Sequence, residues 1–416
     1  MHAYPVGVTR RQFLAATSGM LGGSLVKPKN SPQKKMVAAI VTMYTDDRAL
    51  KSHASVIVGR MLEGYSPNNV WTEPRTQVVS MYTDQVPAND LSRGLAEKHG
   101  FKIYPTIGAA LGLGGGKLAV DAVLIVGEHG SYPTNEKGQK LYPRYELMEQ
   151  VVDVFRRDRR VVPVFSDKHL SYSWWKARQM YNWSRELKFP LMAGSSIPLT
   201  VRTPPLEIPQ DAEFEHVLAV GYGDIDAYGF HTLETLQCMA ERRAGGETGV
   251  AAVQLLEGEA VWRWRDSREG RWSIPLLESA LATTPKTKPG PPEQNARRPV
   301  LFLLEYRDGL QAAAYLLNGH TSGFLFAGKL KGRPEPVATH CGFLEGGRPL
   351  VHFDGLVHCI EEMFMTGKAL YPVERTLLTS GMLSFLFESR YQKKRIETPE
   401  LNIPYRAARD TYFQTS

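Results

Sequence analysis

Between residues 36 and 198, short and almost purely apolar runs alternate with amphipathic stretches, and this alternation limits the possible fold more than any other feature of the chain. "KKMVAAIVTMY", "TQVVSMYTD", "VDAVLIVGEHG", "RVVPVFSD" and "PLMAGSS" are rich in Val and Ile and too short for helices, so each reads as a buried strand. Between them lie helical periods. In "SHASVIVGRMLEGY" the residues Ala54, Ile57, Val58, Met61 and Leu62 share a face, "NDLSRGLAEKHG" is closed by Gly100, and a further helix spans about 144–156. After Lys168, the residues Ala177, Met180, Ser184 and Leu187 fall on one face of a helix that Ser171 or Ser173 would cap. "KIYPT" reads as a short extended piece, and "GLGGG" (112–116) precedes a strand and reads as a loop. Strands alternating with helices predict βαβ units and a doubly wound parallel sheet.

Past residue 198 the texture changes. "RTPPLEIP" is a proline-rich connection, and "DAEFEHVLAVGYG", "GVAAVQLLEGEAVWRW", "VLFLLEYRDGLQAAAYLLNGH" and "GFLFAGKLKG" predict a mostly antiparallel sheet. "FHTLETLQCMAERR", "FDGLVHCIEEMFMTGK" and "PVERTLLTSGMLSFLFESRYQKK" read as helices, and 284–299 as a loop. The expected organisation is a leader over 1–35, a Rossmann-like α/β domain over 36–198, and an α/β domain with an open sheet over 199–416.

The leader explains the charge. Net charge is +7, but Arg10, Arg11, Lys27, Lys29, Lys34 and Lys35 precede residue 36 without a single acid, which leaves about +1 for the rest. Nucleic acid is therefore not an expected partner. "TRRQFLAATSGMLGGSLV" joins a twin arginine to a short, weakly apolar run, the form of a twin-arginine export signal, so an exported or periplasmic location is expected. The run is too short for a membrane span, which needs about 20 apolar residues. Cys238, Cys341 and Cys359 form no C-x-x-C pair and read as buried free thiols.

Candidate chemistry gathers at strand ends, where open α/β sheets bind ligands. Asp167, Lys168 and His169 follow one buried strand; Gly127, Glu128 and His129 follow another and lead into a polar loop with Tyr132 and Asn135. Tyr172, Trp174 and Trp175 are aromatic candidates for stacking on a sugar ring. His53, Glu128, His129, Asp167, His169 and His231 all lie near strand ends or helix starts, which leaves a divalent metal ion as an alternative.

Three stretches resemble the Gfo/Idh/MocA oxidoreductases, a family that pairs a Rossmann domain with an α/β domain facing the nicotinamide. "DAVLIVGEHG" is similar to the family's fourth Rossmann strand, "VFSDKHLSYSWWKARQMYNWSRELKFPLMAGSS" to its E-K-P strand and following helix, and "AYGFHTLETLQCM" to its D-x-G-x-H-x-x-D helix start. The resemblance spans about 36–400. It implies that Lys168 and His231 are the catalytic pair, with Asp167 in the place of the motif's glutamate, His169 in that of its proline, and Glu234 as the acid after the histidine. It also implies NAD or NADP beside Thr42, Tyr44, His53, Gly127 and Glu128, a carbohydrate as substrate, and a homo-oligomer formed through the second sheet. The family's expected aspartate is Ala227 here, with Asp226 adjacent.

The first βα turn departs from the pattern. The family carries G-x-G-x-x-G there, but "TMYTDDRALKSHASVIVG" has no glycine before Gly59 and adds Asp46 and Asp47, offset by Arg48 and Lys51. The expected function is therefore an exported sugar or polyol oxidoreductase with tightly held dinucleotide, redox-neutral glycoside processing included. The alternatives are a nucleotide-free lyase or hydratase, metal-assisted or not, and a sugar-binding protein on the same fold.

Overall fold

Six strands pair in parallel in the order β3-β2-β1-β4-β5-β6: β1 (Lys35–Val41), β2 (Thr76–Thr83), β3 (Lys102–Ile103), β4 (Ala122–Val126), β5 (Val164–Asp167) and β6 (Leu191–Gly194). This is the doubly wound order, whose direction reverses between β1 and β4 and opens a ligand crevice at their carboxyl ends. β4 and nearly all of β1 are buried on both faces, as their unbroken apolar runs require. The helices α1 (His53–Glu63), α2 (Ser92–His99), α3 (Ile107–Leu111), α4 (Arg144–Asp158) and α5 (Trp174–Leu187) connect them. Gly100 ends α2 with φ 75°, a left-handed conformation that glycine adopts without strain. The chain was computed as a structural model that describes residues 33–46, 52–342 and 350–414. All but the last three residues of the expected leader lie outside these, as do Asp47, Arg48 and Lys51.

The second sheet has the order β14-β9-β10-β11-β8-β12-β13-β7. Its strands are β7 (Arg202–Thr203), β8 (Phe214–Gly221), β9 (Val250–Glu257), β10 (Val300–Tyr306), β11 (Gln311–Leu316), β12 (Phe324–Leu330), β13 (Val337–Cys341) and β14 (Ile396–Glu397). Only β11 and β8 pair in parallel; the other neighbours are antiparallel. The sheet stays open, and its edges are strands of two residues, too short to template another chain.

Both faces of this sheet are covered, and β8 shows how. Val217 and Ala219 pack with Phe230 and Leu233 of α6 (Ala227–Ala240), while Leu218 and Val220 point the other way. They meet Val261 and Trp262 of α7 (Glu259–Asp266) and Leu276 and Leu277 of α8 (Ser273–Leu281). The "EAVWRW" segment expected to extend β9 is thus α7: Gly258, at φ 62°, breaks the strand, and Trp262 turns onto the sheet. A short helix, α9 (Pro292–Asn295), interrupts the proline-rich loop.

The helices α10 (His352–Thr366) and α11 (Val373–Gln392) return to the first sheet. Phe353, Leu356, Val357 and Ile360 of α10 share a core with Ala54, Ile57 and Met61 of α1, and α11 packs on α5, α6 and β9. The boundary expected at 198/199 separates the strands of the two sheets but not the helices, and Lys34–Ser416 forms one compact unit. Among the described residues no helix is long and apolar enough to cross a membrane.

Candidate active site

Strand β5 delivers Lys168 to the crevice. Its backbone turns to φ 67°, and its N–H donates to Gly194 O at 3.1 Å, tying the ends of β5 and β6 together. Lys168 Nζ then lies 2.9 Å from Nε2 of His231, which α6 presents from the second sheet. It also lies 3.6 Å from Glu128 Oε1 at the end of β4. With an ammonium donating to Nε2, the His231 proton sits on Nδ1 and is donated to Ser195 Oγ at 2.6 Å. The Ser195 hydroxyl also accepts from the Ile197 N–H at 3.0 Å. Burial first, and then the Lys168 charge, hold the His231 pKa well below the usual imidazole range, so the ring is neutral.

Glu128 joins this pair to a second one. Burial alone would raise its pKa, but Lys168 and Arg144 hold it well below the ordinary carboxylate range. Arg144 is wholly buried; its Nη2 donates to Glu128 and its Nη1 to His169 Nε2 at 3.1 Å. The His169 proton is therefore on Nδ1, which has no partner among the described residues. Asp226 Oδ1, 3.8 Å from His169 Nε2, makes no hydrogen bond, while its Oδ2 accepts from the Lys140 N–H at 2.8 Å. Burial pushes the Asp226 pKa up to about 6. Buried polar atoms without partners are uncommon and mark where a polar ligand could bind.

On the other side of Lys168, Asp167 Oδ2 pairs with His53 Nδ1 at 2.6 Å. His53 is the first residue of α1, and its N–H donates to His129 Nδ1 at 3.3 Å. His129 also lines a cleft of about 550 Å³ at the carboxyl ends of β1, β2 and β4, a volume typical of small-molecule sites. Thr45, Ser52, Gln85, Asn89, Ser131 and Lys140 supply its polar lining. Among the described residues that line it there is no carboxylate. A donor-rich cleft with one lysine suits a phosphate-bearing ligand, although no glycine turn cradles it.

The expected site residues therefore divide. Lys168, His231, Glu128, Asp167, His169, His53 and His129 come together. Glu234 does not touch Lys168: it accepts from Thr379 Oγ1 at 2.7 Å, supports the turn after β6, and has its pKa raised to about 7 by burial. Tyr132 donates to Asp84 at 2.6 Å, and Asn135 closes its own turn by accepting from the Gln139 N–H at 3.0 Å. Tyr172 is half-buried with Lys176 over its ring, Trp174 is buried against Phe385, and Trp175 is 69% exposed. The N–H at the start of α5 is capped by Ser384 Oγ at 3.2 Å; Ser171 Oγ instead accepts from the Ser173 N–H, and the Ser173 side chain makes no cap.

Thr42 is buried and donates to Glu128 O at 2.7 Å, locking the β1 end to the β4 loop. Tyr44 is core, packed over Gly59 of α1. Gly127 is required because a Cβ there would lie 2.6 Å from Arg144 Cγ. The metal alternative finds no support: among the described residues no three His, Cys, Asp or Glu side chains are grouped to hold an ion. His53, His169 and Glu128 are each already engaged by Asp167, Arg144, or Arg144 and Lys168. The three cysteines are free and buried.

Sequence reasoning missed Arg144, Ser195 and Lys140. Arg144 had a signal, since it shares a helix face with the buried Leu147, Met148 and Val151. Ser195 and Lys140 had none, because their roles depend on where β6 and the β4 loop meet other elements.

No known protein-family model matches the chain, and neither does any curated protein. Solved structures do. GenD2 from gentamicin A biosynthesis, in complex with NAD, is similar with a TM-score of 0.53 at 12% identity over 90% of this chain and 99% of that one. Apo scyllo-inositol dehydrogenase from Lactobacillus casei has a TM-score of 0.54 at 11% identity over 88% and 98%. A putative NADPH-dependent oxidoreductase from Desulfitobacterium hafniense DCB-2 has 0.52 at 13% over 89% and 99%. What the chain shares with these oxidoreductases is the fold, across nearly its whole described length.

Proposed function

We propose that this chain is a nicotinamide-dependent oxidoreductase that acts on a hydroxyl-bearing carbon of a sugar or polyol. The observation behind this reading is the contact of 2.9 Å between Lys168 Nζ and His231 Nε2, buried at the carboxyl end of β5 beside a donor-lined cleft. An ammonium and a neutral imidazole in contact form a proton-transfer pair. Lys168 would hold the substrate oxygen, and His231 Nε2 would take its proton in oxidation or return it in reduction. Ser195 Oγ, accepting from Nδ1, fixes the imidazole in the required tautomer. Glu128 stands 3.6 Å from Lys168 Nζ, and Lys168 and Arg144 together keep Glu128 ionised.

The cleft residues Lys140, Ser131, Asn89 and Gln85 would hold the phosphate and ribose parts of NAD or NADP, which when bound supplies the hydride acceptor or donor. The solved structures of the same fold support this choice, being a complex with NAD, a dehydrogenase and a putative NADPH-dependent oxidoreductase. Export by the twin-arginine route, which carries folded proteins, fits a tightly held cofactor. Self-association through the second sheet, implied by the family resemblance, would need a surface other than the face under α7 and α8.

A nucleotide-free lyase or hydratase is the second reading, favoured by one observation: no glycine lies between Val41 and Gly59 to admit a pyrophosphate. Assays of NAD- and NADP-linked turnover over a panel of aldoses, inositols and sugar acids separate the two. The first reading expects turnover that falls by at least about a hundredfold in Lys168→Ala and His231→Ala, the usual scale of acid–base catalysis. Turnover unchanged in both folded variants would sink it.

A further inference from the structure

The face of the second sheet turned away from α6 and His231 carries a cleft of its own, about 560 Å³ in volume, within the range of small-molecule sites. It is bordered by Arg265 and Asp266 at the end of α7, by Ile274, Glu278 and Leu281 of α8, and by the proline-rich loop around α9. That loop is tied down on several sides. Thr287 Oγ1 donates to Leu281 O at 3.1 Å, the Lys288 N–H donates to His320 O at 2.8 Å, and Arg265 Nη1 donates to Glu293 Oε2 at 2.9 Å.

His320 lines this cleft and is 2% exposed. Asn295 Nδ2 donates to Pro289 O at 2.9 Å and to His320 Nδ1 at 3.2 Å, so the imidazole proton is on Nε2. That N–H is buried and has no acceptor among the described residues, an arrangement that is uncommon unless a ligand or water completes it. Burial lowers the His320 pKa, so the ring is neutral.

The lining selects the chemistry of the ligand. Asp266, Glu278 and Glu293 stand against one guanidinium, Arg265, which Asp266 and Glu293 already engage. An anion is therefore repelled. An ammonium would suit the carboxylates but leave the His320 N–H without an acceptor. Sugar hydroxyls both donate and accept, and the carbons of a sugar ring suit the apolar lining from Ile274, Leu281, Pro291 and Pro292. We infer that this cleft is a second, non-catalytic site for an uncharged saccharide unit, in which His320 Nε2 donates to one hydroxyl and Glu278 accepts from another.

The test is a calorimetric titration of the full chain with glucose, galactose, mannose and N-acetylglucosamine, and with glucuronate as the anionic control. It compares wild type, His320→Leu, Glu278→Ala and Lys168→Ala, and a thermal melt of each variant confirms that it folds. Glu278 is exposed, so its truncation leaves the core intact even if His320→Leu fails to fold. At least one neutral sugar should bind wild type, at least about tenfold weaker in His320→Leu and in Glu278→Ala, the scale of one lost hydrogen bond to a charged or buried group. Its affinity should be unchanged in Lys168→Ala, and glucuronate should bind more weakly than the neutral sugar. No binding of any neutral sugar, or unchanged affinity in either folded cleft variant, overturns the inference. So does binding lost in Lys168→Ala, which would put the sugar in the catalytic crevice, or glucuronate binding as tightly as the neutral sugar.

Discussion

Replacing Arg144 with methionine keeps most of the side-chain volume and removes a guanidinium that is wholly buried. Two acceptors lose their donor, Glu128 and His169 Nε2. Breaking one side of a buried ion pair costs about 3–5 kcal/mol, because the remaining charge is left in a poor solvent. Lys168 still faces Glu128 at 3.6 Å, so the low end applies, ~3 kcal/mol. An unfolding entropy of roughly 2.1 cal/mol/K per residue, over about 380 residues, converts this to a fall in Tm of ~4 °C. Urea denaturation of wild type, Arg144→Met, Glu128→Gln and the double variant would measure it. The double variant should be less destabilised than the sum of the singles by at least ~1.5 kcal/mol, since each single leaves the other's charge unbalanced. A folded Arg144→Met within ~0.5 kcal/mol of wild type, or strictly additive singles, would refute the pairing argument.

Glu234 tests burial through pH. Its pKa is raised from 4.5 to about 7, so the stability it contributes is full below pH 4.5 and is lost as pH rises through 7. The difference is at most ~3 kcal/mol, and Glu234→Gln should gain on wild type across that window in denaturation at pH 5 and pH 7; parallel curves would contradict the burial cause. At Gly194, with φ 125°, a Cβ would lie 2.7 Å from Thr376 Oγ1 and 2.9 Å from Glu234 Oε2. Gly194→Ala should therefore cost ~2 kcal/mol or more in thermal unfolding, and a neutral result would mean that the β6 turn is less tight than described. Trp174→Ala should cost ~3–5 kcal/mol and Trp175→Ser under ~0.5 kcal/mol; similar costs for both would overturn the division between core and surface tryptophans.

The first sheet was legible in the sequence because a parallel sheet is buried on both faces, and its strands read as unbroken apolar runs such as "VAAIV" and "AVLIV". The meeting of Lys168 with His231 was legible only through the family resemblance, since 63 positions separate them. Other features depend on tertiary packing. Val261, Trp262 and Trp264 have strand-forming side chains, so α7 read as a continuation of β9 until the turn at Gly258 is seen. Tyr44 was expected beside a cofactor and is core, with its hydroxyl set against Gly59 of α1. Glu234 follows its histidine at the family's spacing, but α11 brings Thr379 to it and takes it out of the centre.

The central claim is that this fold holds a nicotinamide dinucleotide beside Lys168 and His231. The most direct measurement is to purify the protein, denature it, and identify the released small molecules by mass spectrometry. The account predicts NAD or NADP at close to one per chain. Finding none, together with no rise in Tm when either dinucleotide is added in large excess, would contradict it.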